Sequence, residues 1–168
     1  IIRSLKEGLI ANKINKVYGI FKAYTTRVGS GPFPTELFDS TGERMAKIGN
    51  EFGATTGRPR RCGWLDLVSL KHSITVNGVT DLIMMKGDVL SGIDKIKVCT
   101  KYNYNGEVVD YMPFSMMDEN IEPIYDEIDG WEEDITQAKS YNDLPLNFKN
   151  YVAFLEDKLN LKIKIVSV

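Results

Sequence analysis

The sequence predicts an α/β chain: a mixed sheet with flanking helices and a β-hairpin. Three observations carry that expectation. Segments with apolar residues at helical spacing interleave with short runs rich in β-branched and aromatic residues. Tyr104-Asn105-Gly106 separates two such runs and is the strongest hairpin signal in the chain. The 168 residues are 43% hydrophobic and 26% charged, an ordinary composition for a folded globular chain of one domain.

Taken in order, residues 4–16 carry Leu5, Leu9, Ile10 and Ile14 on one face and predict an amphipathic helix. Val17 to Thr26 predicts a strand, running into a loop from Arg27 to Pro34 in which two glycines and two prolines forbid regular structure. Thr41 to Ile48 predicts a helix flanked by Glu43 and Glu51 and stopped at Gly49. A glycine-punctuated basic loop, Phe52 to Trp64, leads to a helix predicted over Leu65 to Thr75. Asn77-Gly78 then turns the chain into a buried strand, Thr80 to Met85. Ile96 to Tyr102 and Glu107 to Met112 form the hairpin arms. The acidic run from Asp126 to Asp134 lacks calcium-loop spacing and reads as a solvated face. Helices are expected over 131–141 and over Asn147 to Asn160, the second with Tyr151, Phe154, Leu155 and Leu159 along one side, and Leu161 to Val168 alternates as a last strand. That strand stops without a tail and the chain starts without methionine, so a piece of a longer polypeptide is expected.

Composition removes several function classes. No apolar run approaches membrane-span length. Twenty-one basic against 23 acidic residues leave a net charge of −2, which argues against a nucleic-acid binder. Cys62 and Cys99 stand far apart and the chain has a single histidine, so structural zinc is not expected; two free thiols in a reducing compartment are. His72 lies among Leu67, Val68 and Leu70 with no acid partner in view and is read as a packing or surface residue.

Three segments carry chemistry. In Thr55-Thr56-Gly57-Arg58-Pro59-Arg60-Arg61, two hydroxyls, a glycine and three guanidiniums make a receptor for carboxylates or phosphates, because the planar guanidinium fork pairs bidentately with an oxyanion. Pro59 holds successive arginines in an extended geometry. A solvated basic turn is the competing reading. Lys86-Gly87-Asp88 follows an apolar strand; there an aspartate accepts from the ring N–H and exocyclic amine of guanine while the lysine stem covers the ring face. Here a surface ion pair is the competing reading. Val28-Gly29-Ser30-Gly31-Pro32 is either a backbone phosphate cradle or a shaped packing loop; no lysine–serine pair follows, so it is not a P-loop.

Together these blocks resemble the C-terminal part of adenylosuccinate synthetase. The resemblance rests on Lys22 to Gly29, Gly31-Pro32-Phe33-Pro34-Thr35-Glu36, Gly49 to Asp66, Lys86-x-Asp88-Val89-Leu90, Gly130-Trp131 and Ile165-Val166-Ser167, in that order. It implies a P-loop-NTPase-like fold and an enzyme that joins IMP to L-aspartate with cleavage of GTP, giving adenylosuccinate, GDP and phosphate on the route to AMP. Magnesium is implied as cofactor with ligands outside this chain, as are a homodimer and a cytoplasmic location. No nucleic-acid or membrane partner is implied.

Residue by residue, the resemblance makes Ala54, Thr55, Thr56, Gly57, Arg58, Pro59 and Arg60 the aspartate loop, with Arg58 also near IMP. Arg60 would bridge aspartate and the GTP phosphates as a transition-state stabiliser. Val28 would line the IMP ribose, and Lys86, Gly87, Asp88, Ser167 and Val168 would read GTP. Gly87 departs from the bulkier residue common in the family, and Met85 from its frequent threonine. The family's general base, general acid and phosphate loop lie in an N-terminal region absent here, so residues 1–168 are expected to be inactive alone. The alternative is a non-catalytic GTP- or partner-binding module derived from the enzyme.

Overall fold

The computed structural model describes residues 14–53, 55, 57–114 and 120–168. Three strands form a parallel sheet in the order β1 (Tyr18–Lys22), β5 (Asp81–Met85), β9 (Ile163–Ser167). A second, four-stranded sheet is mixed. Its long central strand β6 (Lys95–Tyr104) pairs parallel with β4 (Leu65–Asp66) and antiparallel with β7 (Glu107–Val109) and β8 (Ile121–Asp129). A small antiparallel ribbon of β2 (Thr25–Arg27) and β3 (Arg61–Gly63) completes the strands. Among the described residues three α-helices are present: α1 (Ser40–Ile48), α2 (Leu67–Asn77) and α3 (Leu146–Leu159). The architecture is the α/β class expected, with its strands divided among separate sheets.

Local chemistry explains most element ends. Asp39 caps α1 by accepting from the amides of Thr41 and Gly42, and Asp66 caps α2 through Ser69 N. The α2 helix stops at Gly78 in the left-handed region, where a Cβ is disfavoured. Asn105 and Gly106, with φ of 54° and 86°, form the two-residue turn that joins β6 to β7, as the hairpin signal predicts.

Several expectations need correction. The strand expected over Val17 to Thr26 is two strands in different sheets, because the chain bends at the fully buried Ala23 and Tyr24. Leu65 and Asp66 are a strand beside Val98 and Cys99 rather than the first turn of a helix, so α2 starts two residues later. The hairpin's second arm ends at Val109, short of Met112. No helix spans 131–141: Trp131 and Ile135 are anchored in the core, Asp134 accepts from Thr136 N, and Ser140 and Asp143 form a capping box over a 3-10 turn. Such side-chain-to-backbone bonds compete with helix. The acidic run is a solvated face as expected, but it begins inside a strand that the pattern does not predict, β8, whose exposed Asp129 and Glu127 pair with Lys95 and Lys97 across the sheet. Of the helix expected over 4–16, residues 14–16 have no regular structure and the remainder lies outside the described residues.

The main core lies between the parallel sheet and α3: Leu82 and Met84 meet Phe148, Tyr151 and Leu155. Trp131 joins it edge-on to Phe148 with ring centroids 4.8 Å apart, and its indole N–H donates to Ser91. Cys62 and Cys99 are both buried free thiols, and burial pushes the Cys62 thiol up to about 11. Among the described residues no helix is long and apolar enough to cross a membrane.

Candidate functional site

All three strands of the parallel sheet end on one edge, where Lys22, Met85 and Ser167 are register neighbours. The crevice beyond the carboxyl ends of parallel strands is the usual ligand position in open α/β sheets. Each strand delivers part of the site there. Lys22 ends β1, the Lys86–Asp88 segment follows β5, and Ser167 with Val168 ends β9. Lys86 N donates to Ser167 O at 3.0 Å, so the residues expected to read guanine, including Ser167 and Val168, are brought together. Lys86 has φ of 61° and opens a 3-10 turn over Gly87–Leu90, placing Asp88 half-buried in its first turn.

The basic loop is a closed tongue. Glu51 O accepts from Arg60 N at 2.8 Å, Gly53 N donates to Arg58 O at 2.9 Å, and Gly57 N donates back to Gly53 O at 2.8 Å. Phe52 and Pro59 bridge antiparallel below the tip. Gly57 has φ of 62°, which glycine adopts without strain. Thr55, Gly57, Arg58 and Pro59 are exposed at the tip; Ala54 and Thr56 lie outside the described residues.

The tongue and the Lys86 segment are joined through Glu51. Its carboxylate, 0% exposed, accepts from Lys22 Nζ at 2.7 and 2.8 Å, from the Tyr24 hydroxyl at 2.6 Å and from Arg60 Nη1 at 2.8 Å. Burial raises the Glu51 carboxyl, but these three donors outweigh it and hold it below the usual glutamate range. Two residues earlier, Gly49 O accepts from Lys86 Nζ at 2.6 Å. Asp88 lies close enough that its charge adds to the upward push on the Tyr24 hydroxyl, after burial and the Glu51 carboxylate. Arg60 and Lys86, two residues before Asp88, are thus tied to the same Gly49–Glu51 stretch. A depression of about 360 Å³ at the ends of β1 and β5 is lined by Lys22, Tyr24, Thr25, Thr26 and Met85. A second cavity of about 520 Å³, lined by Tyr141 and Ile165 among others, meets the expected site residues only at Val168.

The arginines divide their work. Arg60 keeps a buried Nε with no hydrogen-bond partner among the described residues, while its side chain as a whole stays one-third exposed (33%), leaving part of the guanidinium within reach of an anion. Arg61, the third guanidinium of the expected receptor, is committed elsewhere. Its guanidinium clasps both oxygens of Glu36 and donates to the carbonyls of Gly29 and Gly31. That pairing also supports the packing reading of the 28–32 loop, whose Ser30 carbonyl accepts from Arg27. Val28 is exposed directly after Arg27, the register partner of Arg61. His72 is exposed on α2. Among the described residues no group of three or more His, Cys, Asp or Glu could hold a metal ion.

Sequence reasoning missed Glu51, Lys22 and Tyr24 as a unit. Glu51 was legible only as an acid flanking a helix, because the cations that use it arrive from 29 residues upstream and nine downstream.

A family model described as adenylosuccinate synthetase matches residues 3–168. Adenylosuccinate synthetase of Christiangramia forsetii is 62% identical over 161 residues, covering 96% of this chain and 38% of the relative. That of Flavobacterium johnsoniae is 58% identical over the same coverage. A solved structure of fully ligated adenylosuccinate synthetase from Plasmodium falciparum superposes with a TM-score of 0.89 at 37% identity, covering 95% of this chain and 39% of that one. The chain thus spans about two-fifths of the length of the curated relatives it matches. Sequence, fold and the ordering of the tongue, the Lys86 segment and the β9 end agree: this chain belongs to the adenylosuccinate synthetase family.

Proposed function

We propose that this chain is the C-terminal, aspartate- and guanine-recognising portion of an adenylosuccinate synthetase that joins IMP to L-aspartate at the expense of GTP. The observation that carries the reading is the bonded path Arg60–Glu51 and Gly49–Lys86, which sets an anion-binding tongue beside a Lys-x-Asp turn at the carboxyl edge of a parallel sheet. Thr55, Thr56 and Arg58 hold the aspartate carboxylates; the exposed tip suits a substrate that arrives from solvent. Arg60 lies between the two regions and stabilises charge on the moving phosphoryl group through the exposed part of its guanidinium. Asp88 accepts from the two donors on guanine that adenine lacks, and the Lys86 stem covers the ring. Val28 lines the IMP ribose. The general base and acid, the phosphate loop and the magnesium ligands come from outside residues 1–168, and the working enzyme is a cytoplasmic homodimer.

A hybrid enzyme tests this reading: the C. forsetii synthetase with this chain in place of its 161 matching residues. The hybrid forms adenylosuccinate and the isolated chain does not. In the hybrid, Arg58→Leu raises KM for aspartate about tenfold or more and leaves KM for GTP within twofold, because it removes a charge-assisted pair to aspartate and none to GTP. Asp88→Asn does the reverse. An inactive hybrid that folds, or turnover by the isolated 168 residues, overturns the assignment.

A further inference from the structure

The tongue is fixed from beneath by a carboxylate that no substrate contact accounts for. Both Glu51 oxygens are fully used: one accepts from Tyr24 and Lys22, the other from Arg60 and Lys22. The donors come from three places, the end of β1, the bend after it and the descending arm of the tongue. The Glu51 backbone repeats the tie, since its carbonyl accepts from Arg60 N and its amide donates to Ala46 O at the end of α1. Two residues before Glu51, the Gly49 carbonyl accepts from the Lys86 ammonium. A buried carboxylate among cations is a poor way to gain stability, because desolvation offsets most of the attraction; what such a cluster fixes well is direction. Here the direction is that of the Arg60 guanidinium, held by Nη1 while the side chain stays one-third exposed (33%).

We propose that Glu51 is a positioning residue for the synthetase reaction: it aims the Arg60 guanidinium and locks the aspartate tongue to the strand end that carries Lys86 and Asp88. The inference rests on the reading above, in which Arg60 contacts substrate. With Glu51 in place, the tongue and the Lys-x-Asp turn share one anchor over Gly49–Glu51, so a shift of either is transmitted to the other. Glutamine is nearly isosteric but offers an amide donor where Arg60 needs an acceptor. It leaves Lys22 and Arg60 facing each other without the intervening negative charge.

The test is a double-variant cycle in the hybrid enzyme with Glu51→Gln, Glu51→Asp, Arg60→Leu and the Glu51→Gln/Arg60→Leu pair. Misaiming a charge-stabilising group by about 1 Å costs up to about 100-fold, so Glu51→Gln is expected to lower kcat/KM for aspartate by about 30-fold. Glu51→Asp, which keeps the charge but withdraws it by one methylene, recovers to within about fivefold of the parent. In the Arg60→Leu background Glu51→Gln costs less than twofold further, because a residue that acts through Arg60 has nothing left to aim. A merely structural glutamate would multiply its loss onto that of Arg60→Leu. A multiplied loss, or parental kinetics in Glu51→Gln, overturns the proposal. If Glu51→Gln does not fold, Glu51→Asp alone and in the Arg60→Leu background carries the same comparison. Parental kinetics in Arg60→Leu would instead overturn the role given to Arg60 itself, a distinct outcome.

Discussion

Gly87 shows how a motif residue is chosen by its neighbours. A Cβ at this position would lie 2.5 Å from Phe148 Cε2 and 2.9 Å from Cζ, and Phe148 is a fully buried ring wedged against Trp131. Gly87 is thus paired with a large residue on α3, and the two share one volume. Gly87→Ala is expected to destabilise the chain by about 1–3 kcal/mol through overpacking. Phe148→Leu relieves the clash, so the double variant should lose at least about 1 kcal/mol less than the sum of the single losses. Urea midpoints of the four proteins measure this; additive losses would mean that the ring and the glycine do not compete. At this scale the sequence was informative wherever chemistry is written locally. Lys86-x-Asp88 and the Thr-Thr-Gly-Arg run are legible as candidates because residue type and spacing alone suggest recognition. Glu51 and Phe148 were not, because what they touch is set by the tertiary fold: Glu51 needs Lys22, and Gly87 needs a helix that starts 59 residues later.

Among the elements, α2 depends most on one side chain. Asp66 is buried, caps α2 through Ser69 N and accepts a short hydrogen bond from the Tyr102 hydroxyl on β6. Burial raises its carboxyl above the usual aspartate range, against the pull of those bonds. Asp66→Ala removes the cap and strands a buried hydroxyl, which together cost about 3 kcal/mol. Asp66→Asn keeps an oxygen for Ser69 N and an amide for Tyr102, and should cost less than half as much. Equal losses for alanine and asparagine in chemical unfolding would sink the claim that both bonds matter. The elements that sequence patterns located, α1, α3, β5, β9 and the β6–β7 hairpin, have caps, turns or apolar periods of their own. The β8 strand has none: Ile-Glu-Pro-Ile-Tyr-Asp-Glu-Ile-Asp offers acids and a proline, and becomes a strand because β6 pairs with it over nine register positions. Likewise 131–141 has helix-compatible residues, but Trp131 and Ile135 are drawn into the core and local side-chain bonds take the backbone. Non-local pairing and burial overrode propensity in both segments.

At the scale of the molecule, the described residues cover the parallel sheet on one face only. Leu82 and Met84 point toward α3 and are fully buried, whereas the opposite face carries Tyr18, Ile20, Met85 and Ile165, exposed by 47, 67, 39 and 52% among the described residues. Ile20, Ile83 and Ile165 are register neighbours, so this is a continuous apolar stripe across all three strands. Parallel sheets are normally buried on both faces, and each isoleucine left in water forgoes about 1–2 kcal/mol of transfer free energy. The relatives are more than twice as long as this chain, which leaves ample polypeptide in them to cover such a face. The isolated chain is therefore expected to bind a hydrophobic dye and to self-associate with rising concentration. Ile20→Lys with Ile165→Lys should reduce both, while leaving the urea midpoint within about 0.5 kcal/mol of the parent, because exposed substitutions of this kind remove no packed contact. The same pair of lysines in the hybrid enzyme should be strongly destabilising, since there the stripe is packed and a buried unpaired ammonium is costly. Dye fluorescence, sedimentation and unfolding of the four proteins decide it. A midpoint that falls equally in the isolated chain would mean that the face is already covered there, and equal tolerance in the hybrid would mean that it is never covered.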